Sequence, residues 1–151
     1  MPELELHTTI QAPVEACFEL SLSVDAHRES MGDSGEQAVA GVTSGLMALG
    51  DQVTWRARHF GVPFTMTSSI TAYDAPHRFV DEQVRGPFQE WWHDHTFQEM
   101  PDGGTLMTDL VRFRAPLGPL GRFAEALVLN RYMPHLLAQR NQWLKEALES
   151  R

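Results

Sequence analysis

The 151-residue chain carries 12 Lys and Arg against 20 Asp and Glu, a formal net charge of −8, which makes a phosphate backbone or an anionic membrane surface an unsuitable partner. With 42% hydrophobic residues it has the material for a single domain, 1–151, and a domain of this size buries roughly 68–70% of its unfolded surface, enough to leave part of its core hollow. The single cysteine, Cys17, excludes an internal disulfide, and with no basic, apolar leader before the first strand the expected location is cytoplasmic. The most apolar stretch, Phe123 to Leu129, is shorter than the roughly 18 residues that span a bilayer, so no integral membrane association is expected.

Residues 3–11 alternate polar and apolar side chains, with Leu4, Leu6, Thr8 and Ile10 on one face, and predict a first strand. Pro13 suits the first turn of a helix, and Val14, Cys17 and Phe18 recur at helical spacing; they predict a helix over 13–21 with Cys17 as an inert, packed thiol. A second short helix is predicted over 24–30, before the loop signals from Gly32 to Gly35. Six period-two segments follow, at 36–43, 51–60, 62–73, 77–86, 89–99 and 104–115, separated by glycine, proline and aspartate turns. Their short connections predict an antiparallel meander. The connection 43–50 is apolar for a loop: Leu46, Met47 and Leu49 need cover, and the segment is a candidate cap for a cavity mouth. After 116–121 the pattern turns helical to the C-terminus. Leu120, Phe123, Ala124 and Leu127 form one stripe, and Met133, Leu137, Leu144 and Leu148 continue an apolar face, with a bend or break expected near 130–134 because of Pro134. The sum is an α+β layer structure in which one curved sheet of about seven strands wraps a long C-terminal helix.

The strand period places Phe79, Asp81, Gln83 and Arg85 on one face, then Trp91, His93, His95 and Phe97, then Met107, Asp109, Val111 and Phe113. Two imidazoles between a tryptophan and a phenylalanine do not suit a dry core face. Apolar surface interrupted by a few polar groups is the usual lining of a small-molecule site. On 51–60 the same period puts Trp55, Ala57 and His59 together and turns Arg56 and Arg58 outward. The candidate ligand contacts are therefore Trp55, His59, Asp81, Gln83, Trp91, His93, His95, Phe97, Met107, Asp109 and Phe113. Neighbouring strands bring side chains within about 5 Å, so Asp81 or Asp109 could orient His93 or His95. The histidines then either belong to a polar seam of the core or touch a ligand, and if they transfer protons the catalytic candidates are His93, His95 and Asp109. His-x-His with His59, Asp81 or Asp109 is a conceivable ligand set, but the spacing is common and no cysteine pair accompanies it; no metal is expected. No nucleophile elbow, phosphate loop or dinucleotide turn is present, so no cofactor is expected.

Four stretches carry a resemblance: Gly50-Asp51-Gln52-Val53-Thr54-Trp55, Phe79 to Phe88, His93-Asp94-His95-Thr96-Phe97, and Pro116-Leu117-Gly118-Pro119-Leu120-Gly121. Over essentially its whole length the chain resembles the helix-grip superfamily (SRPBCC) of START-related lipid-transfer domains, Bet v 1-like proteins and bacterial polyketide cyclases, and within it a bacterial cyclase/dehydrase-like branch of ligand-binding proteins. The resemblance implies a deep pocket between the concave sheet and the last helix, with a small hydrophobic or aromatic molecule as partner for carriage, sequestration or sensing. The alternatives are a cofactor-independent cyclase, aromatase or dehydratase that uses a cavity histidine, and a homodimer formed through a sheet edge or the loop at 44–50.

Overall fold

The computed structural model describes residues 3–59, 61–116, 118–124 and 130–151; Phe60, Leu117 and residues 125–129, including Leu127 of the expected stripe, lie outside the described residues. Strand β1 (Glu3–Ile10) is followed by helices α1 (Val14–Ser21) and α2 (Val24–Ser30), a 3-10 turn (Gly32–Ser34), and then strands β2 (Gln37–Gly41), β3 (Gln52–His59), β4 (Val62–Asp74), β5 (Arg78–Arg85), β6 (Glu90–Glu99) and β7 (Thr105–Arg114). Helices α3 (Gly118–Ala124) and α4 (Asn130–Glu149) complete the order. The strands form one antiparallel sheet in the order β1-β7-β6-β5-β4-β3-β2. The meander read from the turn residues is this sheet, with β1 returning to pair with the last strand.

The sheet curves because its longest strand is not regular. Register shifts between Thr67 and Ser68 and between Ile70 and Ala72 interrupt the pairing of β4 with β5, and an extra residue of this kind bends a strand and increases its twist. At the far edge, Gly41 has φ +73°, and a Cβ there would collide with the Gln52 carbonyl oxygen, so only glycine lets β2 approach β3 at this point.

Helix α1 starts after Pro13 and buries Val14, Cys17 and Phe18. The Phe18 ring meets Tyr73, Phe79 and Phe97 edge-on, sealing one end of the concave face with aromatic contacts that exceed plain area burial. Ser23 caps α2 by accepting a hydrogen bond from Ala26 N, the usual way of satisfying a free first-turn amide. The loop at 42–50 is pinned to this region by Val24 N to Gly45 O at 2.9 Å and Met47 N to Leu22 O at 3.1 Å. Of Leu46, Met47 and Leu49 only Met47 is buried; Leu46 and Leu49 are exposed.

Helix α4 buries Met133, Leu136, Leu137, Leu144 and Leu148 against the sheet, together with two polar residues, Arg140 and Asn141. Trp143 is half-buried against the same core. Pro134 lies inside α4, at its fifth residue, where its missing amide removes a bond near the helix start without ending the helix. Of the stripe expected at 120–127, Leu120 and Phe123 are exposed rather than buried, at 73% and 64%. No helix among the described residues is long and apolar enough to cross a membrane.

Candidate functional site: a cavity with a polar floor

A cavity of about 390 Å³ lies between the concave sheet, the α1–α2 junction and α4. Its walls come from Val53, Trp55, Ala57 and His59 of β3, Phe64, Met66, Ser68 and Ile70 of β4, Phe79 and Asp81 of β5, Trp91, His93 and His95 of β6, and Tyr132, Met133, Leu136, Leu137 and Arg140 of α4. The alternation of each strand explains the set, since every second residue points inward. Arg56 and Arg58 belong to the opposite face.

The polar floor is built from β5, β6, β7 and α4. Directly opposed residues are Asp81 with His93 and His95 with Asp109, yet the short bonds run along the diagonals. His95 Nε2 donates to Asp81 Oδ2 at 2.6 Å, and His93 Nε2 donates to Asp109 Oδ1 at 2.8 Å. Ionised carboxylates only accept, so each Nε2 carries the hydrogen. Asp109 is fully buried and also accepts from Arg140 Nη2 at 2.7 Å and from Asn141 Nδ2 at 2.8 Å. Asn141 Oδ1 accepts in turn from Arg140 Nε and Nη2, and its amide reaches Thr8 on β1. The two imidazoles stack with centroids 3.7 Å apart, and Phe79 stacks on the other side of His95 at 4.1 Å.

Charge in this floor is balanced internally. Burial alone would raise the Asp81 carboxyl, but the bond from His95 and the fields of His93 and His95 outweigh it and hold it at about 2. Burial likewise opposes ionisation of Asp109, and the Arg140 guanidinium with the two imidazoles keeps it well below the usual carboxylate range. Burial and the neighbouring His95 push His93 down to about 4, against the pull of both carboxylates. For His95 burial also opposes the proton, yet Asp109 and Asp81 win and its affinity rises. Near neutrality Asp81 and Asp109 are therefore negative and His93 is uncharged, while His95 is the imidazole of the pair that holds a proton more readily. His95 Nδ1, 3.4 Å from Asp109 Oδ1, is too poorly aligned to bond it and is the one buried side-chain polar atom among the described residues without a hydrogen-bond partner.

Asp81, His93 and His95 each bring a possible metal-ligand atom within 4.8 Å of the others. A metal lies close to the plane of each imidazole it ligates, whereas these rings lie 20° from parallel at 3.7 Å. A shared ion would require unstacking them and giving up the bonds to Asp81 and Asp109.

A second polar group lines the cavity farther along β3. His59 Nδ1 and the Tyr132 hydroxyl share a hydrogen bond of 2.5 Å that ties β3 to the start of α4. His27 packs its ring on Trp55 at 4.4 Å and lies 3.5 Å from Glu36. Burial lowers the proton affinity of His59 in spite of Glu36, while burial and Glu36 both keep the Tyr132 phenol protonated.

Neither a protein-family model nor a curated protein matches the sequence. Solved structures do. The chain superposes on TTHA0849 from Thermus thermophilus with TM-score 0.75 and 16% identity over 97% of this chain and 99% of that one. A START superfamily protein from Mycobacterium smegmatis gives 0.73 and 12% over 98% and 97%, and Ara h 8.0201 gives 0.67 and 14% over 99% of both. The chain shares the fold of these proteins, the helix-grip arrangement of a curved antiparallel sheet around a long C-terminal helix.

In the helix-grip arrangement α4 is the gripped helix, and its position sorts the residues singled out from the sequence. Trp55, His59, Asp81, Trp91, His93 and His95 line the cavity. Gln83, Phe97, Met107, Asp109 and Phe113 do not. Gln83 is turned to its own hairpin, where Nε2 donates to Phe88 O at 2.7 Å and Oε1 accepts from Phe88 N at 3.2 Å. Phe97 and Met107, opposed across β6 and β7, are packed beneath α1. Phe113 packs behind Trp91 and Phe88. Asp109 stands one layer behind the wall and holds His93 and Arg140. Arg140, Asn141 and Tyr132 escaped sequence reasoning. The signal for the first two was present: residues 140 and 141 fall on the apolar stripe between Leu137 and Leu144, where a cation needs a buried partner.

Proposed function

We propose that the protein binds a small, predominantly apolar molecule in this cavity, as a carrier, sequestering protein or sensor. One observation carries the reading: a void of about 390 Å³, in the size range of roughly 300–1,000 Å³ usual for small-molecule sites, has aromatic and aliphatic walls interrupted by a few polar groups, chief among them the ion network of its floor. The resemblance to START-related and Bet v 1-like proteins supports the same class of ligand. Because Trp55 and Trp91 stand in the wall, a bound aromatic molecule should change tryptophan emission. Ligands that bind only the folded form also stabilise it, by about 2.7 kcal/mol at a hundredfold excess over Kd. A panel of neutral, acidic and basic apolar probes should therefore raise the melting temperature for some members. Flat melting curves and unchanged emission across the panel would refute the reading.

A cyclase or dehydratase would need His93, His95 or Asp109 to move a proton at the bound molecule. Asp109 stands behind the wall, and both Nε2 hydrogens are committed to carboxylates, so binding takes precedence over turnover. Background rates on a reactive polyketone, equal for wild type and His93→Ala, are expected.

A further inference from the structure

The floor holds groups that its own network does not use. Arg140 is only 6% exposed and lines the cavity, but its hydrogen bonds leave through Nε and Nη2; Nη1 makes none among the described residues. A guanidinium carries five N–H donors, and those on Nη1, at the cavity surface, are left for a guest. Asp81 behaves similarly: Oδ2 meets His95 at 2.6 Å and His93 at 3.9 Å, Oδ1 accepts nothing among the described residues, and the side chain remains 23% exposed at the cavity wall. One donor site and one acceptor site therefore stand free at the floor of the cavity.

Asp109 is spent on Arg140, Asn141 and His93, which leaves Asp81, bonded to His95, as the carboxylate that faces the void. A ligand carboxylate would set a second negative charge beside Asp81 and would lose its hydration on entering the cavity. A hydroxyl adds no charge and offers both a lone pair and a hydrogen. We infer that the molecule held in the cavity is electrically neutral, carries a hydroxyl or carbonyl oxygen that docks on Arg140 beside Asp81, and is preferred over its carboxylate analogue. The inference rests on the binding function proposed above and adds to it the chemistry of the polar end. At about 30 Å³ per water-sized unit the cavity holds roughly 13 such units, the bulk of a few fused rings with a short substituent.

The test compares naphthalene, naphthol and naphthoate by tryptophan-fluorescence titration of the full chain at pH 7, with the uncharged dye N-phenylnaphthylamine as a displaceable reporter. Naphthol is expected to bind about tenfold more tightly than naphthalene, the worth of one hydrogen bond to a charged group, and naphthoate more weakly than naphthalene. Arg140→Lys keeps a cation against Asp109 but lacks the second amino group, and should bring naphthol within about twofold of naphthalene. Asp81→Asn removes one negative charge, so naphthoate should gain at least about tenfold; this variant decides the matter if Arg140→Lys does not fold. Reporter binding with no discrimination among the three probes, or with naphthoate tightest in wild type, overturns this inference and leaves the binding function standing. No binding of the reporter or of any naphthalene overturns both.

Discussion

His93 and His95 stand two residues apart on β6 with ring centroids 3.7 Å apart and planes 20° from parallel, yet their proton affinities are driven in opposite directions. Each ring donates to one carboxylate, and both are buried. The difference is in how closely each ring meets both carboxylates: His95 lies 3.4 Å from Asp109 and 2.6 Å from Asp81, whereas His93 lies 2.8 Å from Asp109 but 3.9 Å from Asp81. Burial is the larger force holding His93 down, and the field of the neighbouring His95 adds to it. The pair titrates as one unit.

The stability of the protein should therefore peak near pH 6.5, the ordinary histidine value. His93 has its folded affinity lowered to about 4 from 6.5, so as pH falls through that window the unfolded chain takes up a proton that the folded one refuses, and stability is lost. His59, also held low by burial, acts in the same direction. The His93 contribution amounts to about 1.4 kcal/mol per pH unit, about 3 kcal/mol in all. Asp81, depressed to about 2 from 3.8, adds a further loss below about pH 4. His95 has the opposite sign: its raised affinity contributes fully below 6.5 and is lost as pH rises through its folded value. Urea unfolding at intervals from pH 4 to 9 measures the curve, and His93→Asn should flatten its acid limb. An unchanged acid limb in that variant would show that His93 is not the source.

Removing Asp109 should be among the most damaging single changes in the chain. Asp109→Ala leaves Arg140 buried without its carboxylate and deprives His93 and Asn141 of their acceptor, a loss of roughly 3–5 kcal/mol. The pair should not be additive: Asp109→Leu with Arg140→Met ought to be less destabilised than the sum of the two single changes by about 0.5–3 kcal/mol. Additive losses would mean that the network is a set of independent contacts.

Much of this arrangement was legible in the sequence because strand and helix periods are local. Every strand was placed from turn residues and alternation, and α2 (Val24–Ser30) ends where the sequence indicated. The inward faces of β3, β5 and β6 followed from the same period, which is why Trp55, His59, Asp81, Trp91, His93 and His95 share one cavity. Depth was not legible. Period two assigns Asp81 and Asp109 to the same face, but only the path of α4 decides that Asp81 meets the void and Asp109 meets Arg140. Gln83 shows the complementary limit: its position is inward, yet a long amide can turn to its own hairpin backbone and close the Gln83–Phe88 turn. Leu120 and Phe123 have helical spacing and form a helix, but no partner surface among the described residues covers them.

Gln83 should accordingly support the ligand wall indirectly. Gln83→Ala removes two hydrogen bonds to Phe88, a net loss of about 1–3 kcal/mol at the usual 0.5–1.5 kcal/mol for each, and loosens the hairpin that carries Phe88 into the cavity wall. Stopped-flow release of a fluorescent probe should quicken while the association rate stays within about twofold. Unchanged release kinetics would return Gln83 to a purely structural role.

Filling the void separates a cavity from a packed core most directly. Ala57 faces it from β3, opposite Phe64, so the ring of Ala57→Phe enters open space rather than displacing neighbours. Overpacking a filled core usually costs about 1–3 kcal/mol, whereas here the cost should be small, because new dispersion contacts replace none that existed. Cys17→Phe supplies the contrast: Cys17 is fully buried among Val14, Phe18 and Met107, and an added ring there has nowhere to go. Thermal melts with and without an uncharged fluorescent probe should show Ala57→Phe folded but no longer stabilised by the probe, and Cys17→Phe destabilised outright. If Ala57→Phe binds as well as wild type, the probe occupies some other surface; if it unfolds as readily as Cys17→Phe, the space in front of β3 is not open.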